Sequence, residues 1–356
     1  MLKSLRSRPT IAHARDAFAG GRGYLAACTT GLPTRATRAA MIVDLNEAAA
    51  GRPNAARYQA VAERARAHFA SLVRVSPDRV AIGSQTSVLA SLIAASLPDG
   101  AEVLVPDRDF SSMVLPFVHA GRGIRVRAVP LDGLVDAIRP GTDLVAFSIV
   151  QSATGEVADA DAIVAAAASC GARTLCDATQ AVGWLPVDAS RFDALVCHAY
   201  KWLCAPRGVA FLALRDEFAA TLRPVHAGWY AGSDPWSSCY GGEVELAADA
   251  SRFDVSPAWQ AFVGAEPALE LFAGLDRDEL YAYTTGLAAA FRERLGLPEP
   301  SHPSAIVTWE DPDGADLARL AAAGIVASGR DGRARVAFHV FNDASDVDLA
   351  ARALCS

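Results

Sequence analysis

The sequence predicts an α/β protein in which helices cover both faces of a mostly parallel β-sheet, with a small α+β domain at the C-terminal end. Two observations support this fold class. From about residue 58, short apolar runs typical of buried strands alternate with segments of helical periodicity, a pattern that favours a parallel sheet. The chain has 356 residues, of which 52% are hydrophobic and 21% charged, so it can bury a large core and still form a second domain.

The predicted elements follow this alternation along the chain. Each helix carries an apolar face of helical period, and each strand is a short apolar run bounded by polar or glycine-containing segments. We predict helices over residues 58–73, 87–96, 111–120 and 161–169. We predict strands over residues 80–82, 102–105, 124–129, 144–148, 173–176, 194–197 and 209–214.

The region 226–258 interrupts the alternation. It is rich in Gly, Ser, Trp and Tyr, and we interpret it as a long loop over a functional site. Beyond it the pattern predicts helices over 259–273, 277–295, 316–323 and from residue 345, and strands over 305–309 and 335–338. We therefore divide the chain into an N-terminal arm (1–30), a large domain (31–255) and a small C-terminal domain (256–356).

Charge and composition disfavour several functional classes. A net charge of −7 argues against a nucleic-acid binder, which normally carries a basic excess. The apolar stretches are too short to span a bilayer, and no apolar segment follows the basic N-terminus, so we expect no membrane association. Seven cysteines without metal-binding spacing or a secretion signal predict reduced thiols, no metal site and a cytoplasmic location.

Two polar residues that follow predicted strands suit one cofactor. Ligands bind outside the carboxyl ends of the strands in an open parallel sheet, and Asp177 and Lys201 follow consecutive strands. A lysine amine forms a Schiff base with the aldehyde of pyridoxal 5′-phosphate (PLP), and a carboxylate keeps its pyridine nitrogen protonated. Either residue alone also fits a helix cap or a surface charge. Together, in D-A-T-Q-A-V-G and H-A-Y-K-W-L-C-A-P-R-G, they favour a PLP site.

These two segments resemble the class V aminotransferase family of fold-type I PLP enzymes, which includes cysteine desulfurases, kynureninase and isopenicillin N epimerase-like proteins. The resemblance runs from Y-L-A-A-C-T-T-G (24–31) to R-V-A-F-H-V-F-N (335–342), and K-W-L-C-A-P-R-G is most similar to the epimerase-like branch. It implies the PLP-dependent transferase fold type I with a seven-stranded sheet. It also implies a homodimer with shared active sites that acts on a small amino-acid substrate.

The resemblance implies a role for several residues around the cofactor ring. Lys201 would carry the cofactor, Asp177 would face the pyridine nitrogen, and Gln180 would donate to the phenolate oxygen. Ser152 stands where many relatives have Asn near the same oxygen, and its shorter side chain leaves a direct contact open. Phe110 matches the position that stacks on the ring, where it offers an aromatic face and no proton.

The phosphate requires backbone N–H groups at a helix N-terminus together with hydroxyl groups. Ser84, Gln85 and Thr86 precede a predicted helix and match the phosphate loop of the family, although helix capping alone would also favour Ser or Thr there. Three further phosphate contacts are implied, the last of them to the cofactor of the partner subunit: His198, Tyr200 and Ser256.

The substrate would be held from the C-terminal domain and from the long loop. Arg335 begins the last predicted strand and is implied as the ligand of the α-carboxylate, because a guanidinium binds both oxygens. Arg333, on the same face of an extended segment, is the alternative. Trp229 and Tyr230 follow a G-W pattern found in kynureninase-like relatives and are candidates for the substrate pocket, although aromatic residues in such a loop equally often only pack.

The reaction is chosen from the chemistry that PLP permits. Desulfuration needs a mobile cysteine, which the family carries in its later half, and this chain has no cysteine between residues 240 and 354. Cys239 precedes the family position, and Cys28 lies in the arm. We therefore expect a C–S β-lyase that acts on an S-substituted cysteine, because relatives of similar size process cysteine conjugates. The alternatives are an aminotransferase or epimerase on another α-amino acid and, from a different class, a non-catalytic PLP-fold binding protein.

Overall fold

A seven-stranded sheet forms the core of the computed structural model, which describes residues 9–355. The strands of this sheet are β1 (Val80–Gly83), β2 (Glu102–Pro106), β3 (Arg125–Val129), β4 (Leu144–Ser148), β5 (Arg173–Asp177), β6 (Ala194–His198) and β7 (Ala210–Leu214). Their order is β1-β7-β6-β5-β4-β2-β3, and only β7 runs antiparallel to its neighbours. The predicted α/β class with a mostly parallel sheet is confirmed, and each strand predicted for this sheet agrees with an observed one to within a residue at either end.

The helices separate the sheet from solvent on both sides. In residues 9–355 they are α1 (Ile11–Asp16), α2 (Arg35–Ala49), α3 (Ala55–Leu72), α4 (Thr86–Ser96), α5 (Ser111–Val118), α6 (Leu134–Ala137), α7 (Ala160–Cys170), α8 (Asp216–Ala219), α9 (Trp259–Gly274), α10 (Arg277–Arg294), α11 (Ala315–Ala322) and α12 (Ala344–Cys355). No helix in this part of the chain has the length and apolar character needed to cross a membrane.

Alternate residues of the central strands enter two different cores. On β4, Val145 and Phe147 pack in the core that contains α3, α7 and α9, whereas Leu144 and Ala146 pack in the core that contains α4 and α5. Every residue of β4 is therefore buried. This explains why the strand is a continuous apolar run in the sequence and why its carboxyl end is the first place where polar side chains occur.

Helix α2 was absent from the sequence prediction, and its composition explains why. Only Thr37 and Asp44 of this helix are buried, so it has no apolar stripe of helical period. Its N-terminus is fixed instead by Thr34, whose hydroxyl accepts from the backbone N–H of Thr37 at 2.9 Å. The helix packs against α9.

A second, antiparallel sheet lies in the C-terminal region. Its strands are β8 (Ile306–Glu310), β9 (Ser328–Arg330) and β10 (Arg333–Ala337), in the order β8-β10-β9, and α10, α11 and α12 pack around it. The small α+β C-terminal domain of the predicted fold is confirmed, although the three polar residues of β9 gave no strand signal. Because α9 packs against α2 and α3, the division of the chain at 255/256 stays a prediction.

The N-terminal segment connects this small sheet to the large one. The backbone of Leu25 exchanges hydrogen bonds of 2.8 Å with Val326 and Ala337 of the small domain. Six residues later, the N–H of Gly31 donates to the carbonyl of Tyr200 at 2.8 Å. A Cβ atom at Gly31 would clash with the carbonyl oxygen of Lys201, so only glycine allows the segment to lie this close to the loop after β6.

Candidate active site

A cavity opens at the carboxyl edge of the large sheet. Three strands that border it, β4, β5 and β6, end at Ser148, Asp177 and His198. The cavity brings together nine of the residues that the sequence analysis selects: Gln85, Thr86, Phe110, Ser152, Asp177, Gln180, His198, Tyr200 and Lys201. Four further residues line it: Ser112, Ser148, Thr179 and Arg207.

Asp177 places a carboxylate at the floor of this cavity. The residue is 4% exposed, and its side chain accepts a hydrogen bond of 2.8 Å from the backbone N–H of Thr179. Burial raises the pKa of Asp177 to about 6, even though the hydrogen bonds from Thr179 and the charge of Lys201 oppose that shift. The carboxylate has no ion-pair partner within 4 Å among residues 9–355, so it is a buried charge that a cationic ligand would stabilise.

Lys201 supplies an amine to the same space. The residue is 5% exposed, and its Nζ atom lies 5.3 Å from the centre of the Phe110 ring and 5.6 Å from that of Tyr200. Burial lowers the pKa of the Lys201 ammonium to about 8, although the carboxylate of Asp177 opposes this. The chain contains two lysines, Lys3 and Lys201, and Lys201 is the one within the described residues.

One end of the cavity suits an anion. Helix α4 begins there at Thr86, and no side chain caps its N-terminus, so the first backbone N–H groups lack a side-chain acceptor. The Oγ1 atom of Thr179 lies 3.4 Å from that of Thr86 and accepts from the backbone N–H of His198 at 3.0 Å. The buried Nε2 atom of His198 has no hydrogen-bond partner in the described part of the chain. This end therefore offers several donors that no protein acceptor satisfies.

Gln180 also lines the cavity, and three neighbours fix the orientation of its side-chain amide. Its Oε1 atom accepts from the indole N–H of Trp202 at 2.8 Å. Its Nε2 atom donates to the carbonyl of Cys28 at 2.9 Å and to the hydroxyl of Ser152 at 3.1 Å. Because the indole has no acceptor, the amide nitrogen of Gln180 must point towards Ser152 and the cavity.

Arg335 lies next to Ser152 and carries a buried positive charge. The residue is 1% exposed. Its guanidinium donates to Thr29 Oγ1 at 2.9 Å, to Ser328 Oγ at 3.2 Å and to the carbonyl of Ser152. These acceptors are neutral, and no ion pair joins Arg335 to a carboxylate in residues 9–355. The alternative residue, Arg333, lines a separate surface cavity with Arg292.

Arg335 contacts Ser152 without lining the cavity itself, and four further sequence-selected residues lie outside the cavity of their own chain. Ser84 is partly buried at the end of β1 but does not line the cavity, and Ser256 is exposed. The hydroxyl of Tyr230 donates to Glu63 on α3 at 3.3 Å. Trp229 packs edge-to-face on Tyr230, so both aromatic residues lie against α3. Within its own chain this part of the loop therefore packs on α3, and its place over a functional site stays a prediction.

Asp109 is a residue that the sequence analysis overlooked. Its carboxylate accepts from the backbone N–H of Phe110 at 2.6 Å and from the backbone N–H and hydroxyl of Ser148 at 2.6 and 2.5 Å. It thereby ties the Phe110 loop to the end of β4. Burial raises its pKa. Its position directly before Phe110 in D-R-D-F was the available signal.

Comparison with known proteins identifies the family. The profile of the family Aminotransferase class-V matches residues 25–300. Isopenicillin N epimerase of Amycolatopsis lactamdurans is 30% identical over 297 residues, which cover 72% of this chain and 72% of the epimerase. A probable cysteine desulfurase of Aeropyrum pernix is 31% identical over 268 residues, which cover 68% of this chain and 63% of the desulfurase.

Solved structures agree with this fold. The cystine C–S lyase C-DES, in complex with its product cysteine persulfide, has a TM-score of 0.83 and 20% identity, over 94% of this chain and 98% of the lyase. A C-DES variant with glycine covalently linked to its PLP cofactor has a TM-score of 0.85. The fold and cavity define a PLP-dependent enzyme of fold type I. The chain belongs to the class V aminotransferase family.

The cavity is chemically suited to PLP. Asp177 is a buried carboxylate without a cationic partner at hydrogen-bond distance, which suits a protonated pyridine ring. Lys201 is a buried amine of lowered pKa, which suits an aldehyde. The uncapped start of α4 and the unpartnered Nε2 atom of His198 suit a phosphate. These complementary groups lie in one cavity, so the residues present fit the cofactor of the family.

The raised pKa of Asp177 predicts that Asp177→Asn stabilises the PLP-free protein at neutral pH. A carboxyl whose pKa is higher in the folded than in the unfolded state lowers stability progressively as pH rises from the unfolded pKa to the folded pKa, and the loss is complete above the folded pKa. We expect the free energy of unfolding at pH 7.5 to rise by about 1–2 kcal/mol, with a smaller gain at pH 5. Chemical denaturation of the PLP-free proteins at both pH values measures this.

Asp193→Asn is the matched control. Asp193 is also buried, but it accepts from Arg173 at 3.0 Å and from Thr174 at 2.9 Å, so its charge is compensated. Its amide variant should lose stability at pH 7.5. If both variants lose stability equally, Asp177 is not the uncompensated charge described above.

Proposed function

We propose that Lys201 carries the cofactor of this enzyme and that the enzyme cleaves the C–S bond of an S-substituted cysteine. The products would be a thiol, pyruvate and ammonium. One observation carries the choice of a one-base reaction over epimerisation: Lys201 is an amine of the cavity whose pKa of about 8 allows proton exchange near neutral pH, whereas Phe110 closes the adjacent wall without a proton donor or acceptor. β-Elimination needs one such group, which removes the proton from Cα.

The cofactor contacts follow from the charges and donors of the cavity. Asp177 would face the pyridine nitrogen, and Gln180, beside Ser152, would donate its amide N–H to the phenolate oxygen. The phosphate would lie at the start of α4. Its contacts would be the backbone and side chains of Ser84, Gln85 and Thr86 together with His198 and Tyr200. When bound, PLP joins the amino group of the substrate and withdraws electrons from Cα.

The residues of the chain account for the proton transfers. Lys201, as the neutral amine, takes the proton from Cα while the bond between Cβ and sulfur breaks. The resulting ammonium is the donor that returns a proton to the departing sulfur. Hydrolysis then uses one water, so that the S-substituted cysteine and water become the thiol, pyruvate and ammonium. A pKa of about 8 leaves part of the Lys201 population neutral at pH 7.5.

Persulfide formation is a less suitable role for the cysteines of this chain. Cys239 is exposed beyond the cavity, where its Sγ atom donates to the carbonyl of Pro235 at 3.6 Å. Cys28 is buried, with its Sγ atom 4.0 Å from the hydroxyl of Ser328. A thiol that must accept and then release sulfur needs both proximity to the substrate and mobility, and neither cysteine combines the two.

A homodimer is part of the proposal. Apolar side chains are exposed on two helices: Ile42 is 47% exposed and Leu45 57% on α2, and Leu115 is 47% exposed and Val118 49% on α5. Such surfaces favour burial against another protein. In a dimer with shared sites, the exposed Ser256 would reach the phosphate held by the other subunit, and Trp229 and Tyr230 would border its substrate.

Amino transfer or epimerisation is the second candidate, favoured by the similarity to isopenicillin N epimerase. Amino transfer uses the same single base, because Lys201 would move the proton from Cα to the cofactor. Two-base epimerisation needs proton exchange on both faces of Cα, and Phe110 supplies none.

Product analysis with the PLP-loaded enzyme tests the proposal. With S-methyl- and S-benzylcysteine, we expect equal amounts of thiol and pyruvate without an added keto acid. Cys28→Ser and Cys239→Ser should keep their rates within about threefold, because no thiol takes part. Product that forms only in the presence of a keto acid would indicate an aminotransferase. Racemised substrate would indicate an epimerase, and a trapped protein persulfide would indicate a desulfurase. Each of these results would replace the lyase assignment.

The proposal also assigns the α-carboxylate of the substrate to Arg335. Arg335→Ala should weaken substrate binding by about 2–5 kcal/mol, because it removes a charge-assisted contact. Arg335→Lys should raise KM and increase the share of side products. The ammonium group of lysine would hold the carboxylate less firmly than the planar guanidinium, which binds both oxygens. The absorbance band of lysine-bound PLP should stay unchanged in both variants.

Arg333→Ala is the control for the Arg335 assignment, because Arg333 lies on the same strand but lines another cavity. It should leave KM unchanged. If Arg333→Ala raises KM while Arg335→Ala does not, the carboxylate is bound two residues earlier on β10.

A further inference from the structure

The phosphate end of the cavity lacks an obvious positive charge. Its donors are backbone N–H groups at the start of α4 and the side chains of Thr86, His198 and Tyr200. Burial, with smaller effects of the charges on Arg207 and Lys201, lowers the pKa of His198 to about 4, so its imidazole is neutral at physiological pH. A phosphate monoester carries a charge of about −1.5 to −2 at neutral pH. Neutral donors alone would leave most of this charge without a cationic partner.

Arg207 borders this end of the cavity, and sequence comparison did not suggest a role for it. Its guanidinium carbon lies 4.3 Å from the centre of the Tyr200 ring. The Tyr200 ring also contacts His198, with the two ring centres 4.4 Å apart and the rings at 61°. The three side chains therefore form a series, His198–Tyr200–Arg207, along the wall of the cavity. Because His198 belongs to the phosphate end and Tyr200 contacts both His198 and Arg207, Arg207 lies next to that end.

The guanidinium of Arg207 has its donors available. Neither a hydrogen bond nor an ion pair joins it to another residue within 9–355, and the residue is exposed at the mouth of the cavity. The aromatic face of Tyr200 attracts the cation and restricts its orientation without using any N–H group. The N–H groups of this oriented, planar guanidinium are free to bind two oxygens of a phosphate.

We propose that Arg207 is the cationic ligand of the cofactor phosphate, held in place by the ring of Tyr200. The backbone N–H groups of α4 and the Nε2 atom of His198 would bind the phosphate from inside the cavity, and Arg207 would close the site from the solvent side. Arg207 thereby makes the site selective for the phosphorylated cofactor over pyridoxal, which lacks the phosphate. This role is separate from the choice of reaction and does not depend on the identity of the substrate.

The affinities of the PLP-free protein for PLP and for pyridoxal test this role. Both ligands bind through the aldehyde and the ring, and only PLP has a phosphate. In equilibrium dialysis, we expect Arg207→Gln to lower the affinity for PLP at least about tenfold and to change the affinity for pyridoxal by less than about twofold. Arg207→Lys should recover part of the loss, because it keeps the charge but not the fork.

Arg223→Gln is the matched control, since Arg223 is an exposed arginine outside the cavity that donates to the carbonyl of Ala95. It should leave both affinities unchanged. A second measurement is the ³¹P resonance of bound PLP between pH 5 and 8. In the wild type the chemical shift should stay at the value of the phosphate dianion over this pH range, because the guanidinium favours the doubly charged form. In Arg207→Gln the chemical shift should change with pH as the phosphate titrates.

Two results would overturn the proposal. If Arg207→Gln lowers the affinities for PLP and for pyridoxal by the same factor, Arg207 supports the shape of the cavity and does not bind the phosphate. If neither affinity changes and the ³¹P titration is that of the wild type, Arg207 is a surface residue that only covers Tyr200.

Discussion

Two opposite charges, Asp177 and Lys201, are buried in one cavity without a hydrogen bond between them, and the site is organised around this constraint. Burial shifts the pKa of the carboxyl up to about 6 and that of the ammonium down to about 8, because each charge has lost water without gaining a close partner. PLP offers what each one lacks, a protonated pyridine ring and an aldehyde. Two buried groups with shifted pKa values in one cavity are typical of a site prepared for a ligand, and on the proposed assignment the cofactor would satisfy both.

The sheet determines the distance between these two groups. β5 and β6 are adjacent and parallel, with Asp177 opposite Val196 in the register, so the loop that begins after His198 returns Lys201 over the end of β5. The N-terminal segment then fixes this loop through the hydrogen bond from Gly31 to Tyr200. Since the same segment pairs with the small domain, Arg335 is brought to the cavity beside Ser152. A site that combines both domains therefore depends on a few backbone contacts of residues 24–31.

The sequence was sufficient to predict the features that depend on local pattern. The buried strands were found because they are continuous apolar runs, and Asp177 and Lys201 because each lies in a specific motif directly after a strand. Arg207 and Asp109 were missed because K-W-L-C-A-P-R-G and D-R-D-F, which contain them, do not show their contacts with Tyr200 and Ser148; these contacts depend on the fold. The place of Trp229 and Tyr230 at a substrate pocket stays a prediction, since a composition typical of a binding loop also suits the packing against α3 that the chain shows.

Chemical identification of the lysine that bonds to the cofactor tests the central claim most directly. The chain has two lysines, so borohydride reduction of the PLP-loaded enzyme followed by peptide mapping gives an unambiguous answer. The account predicts that the reduced cofactor is attached to Lys201, and that Lys201→Ala folds but incorporates no label. Label on Lys3 or on the N-terminal amine, or equal labelling of the Lys201→Ala variant, would contradict it.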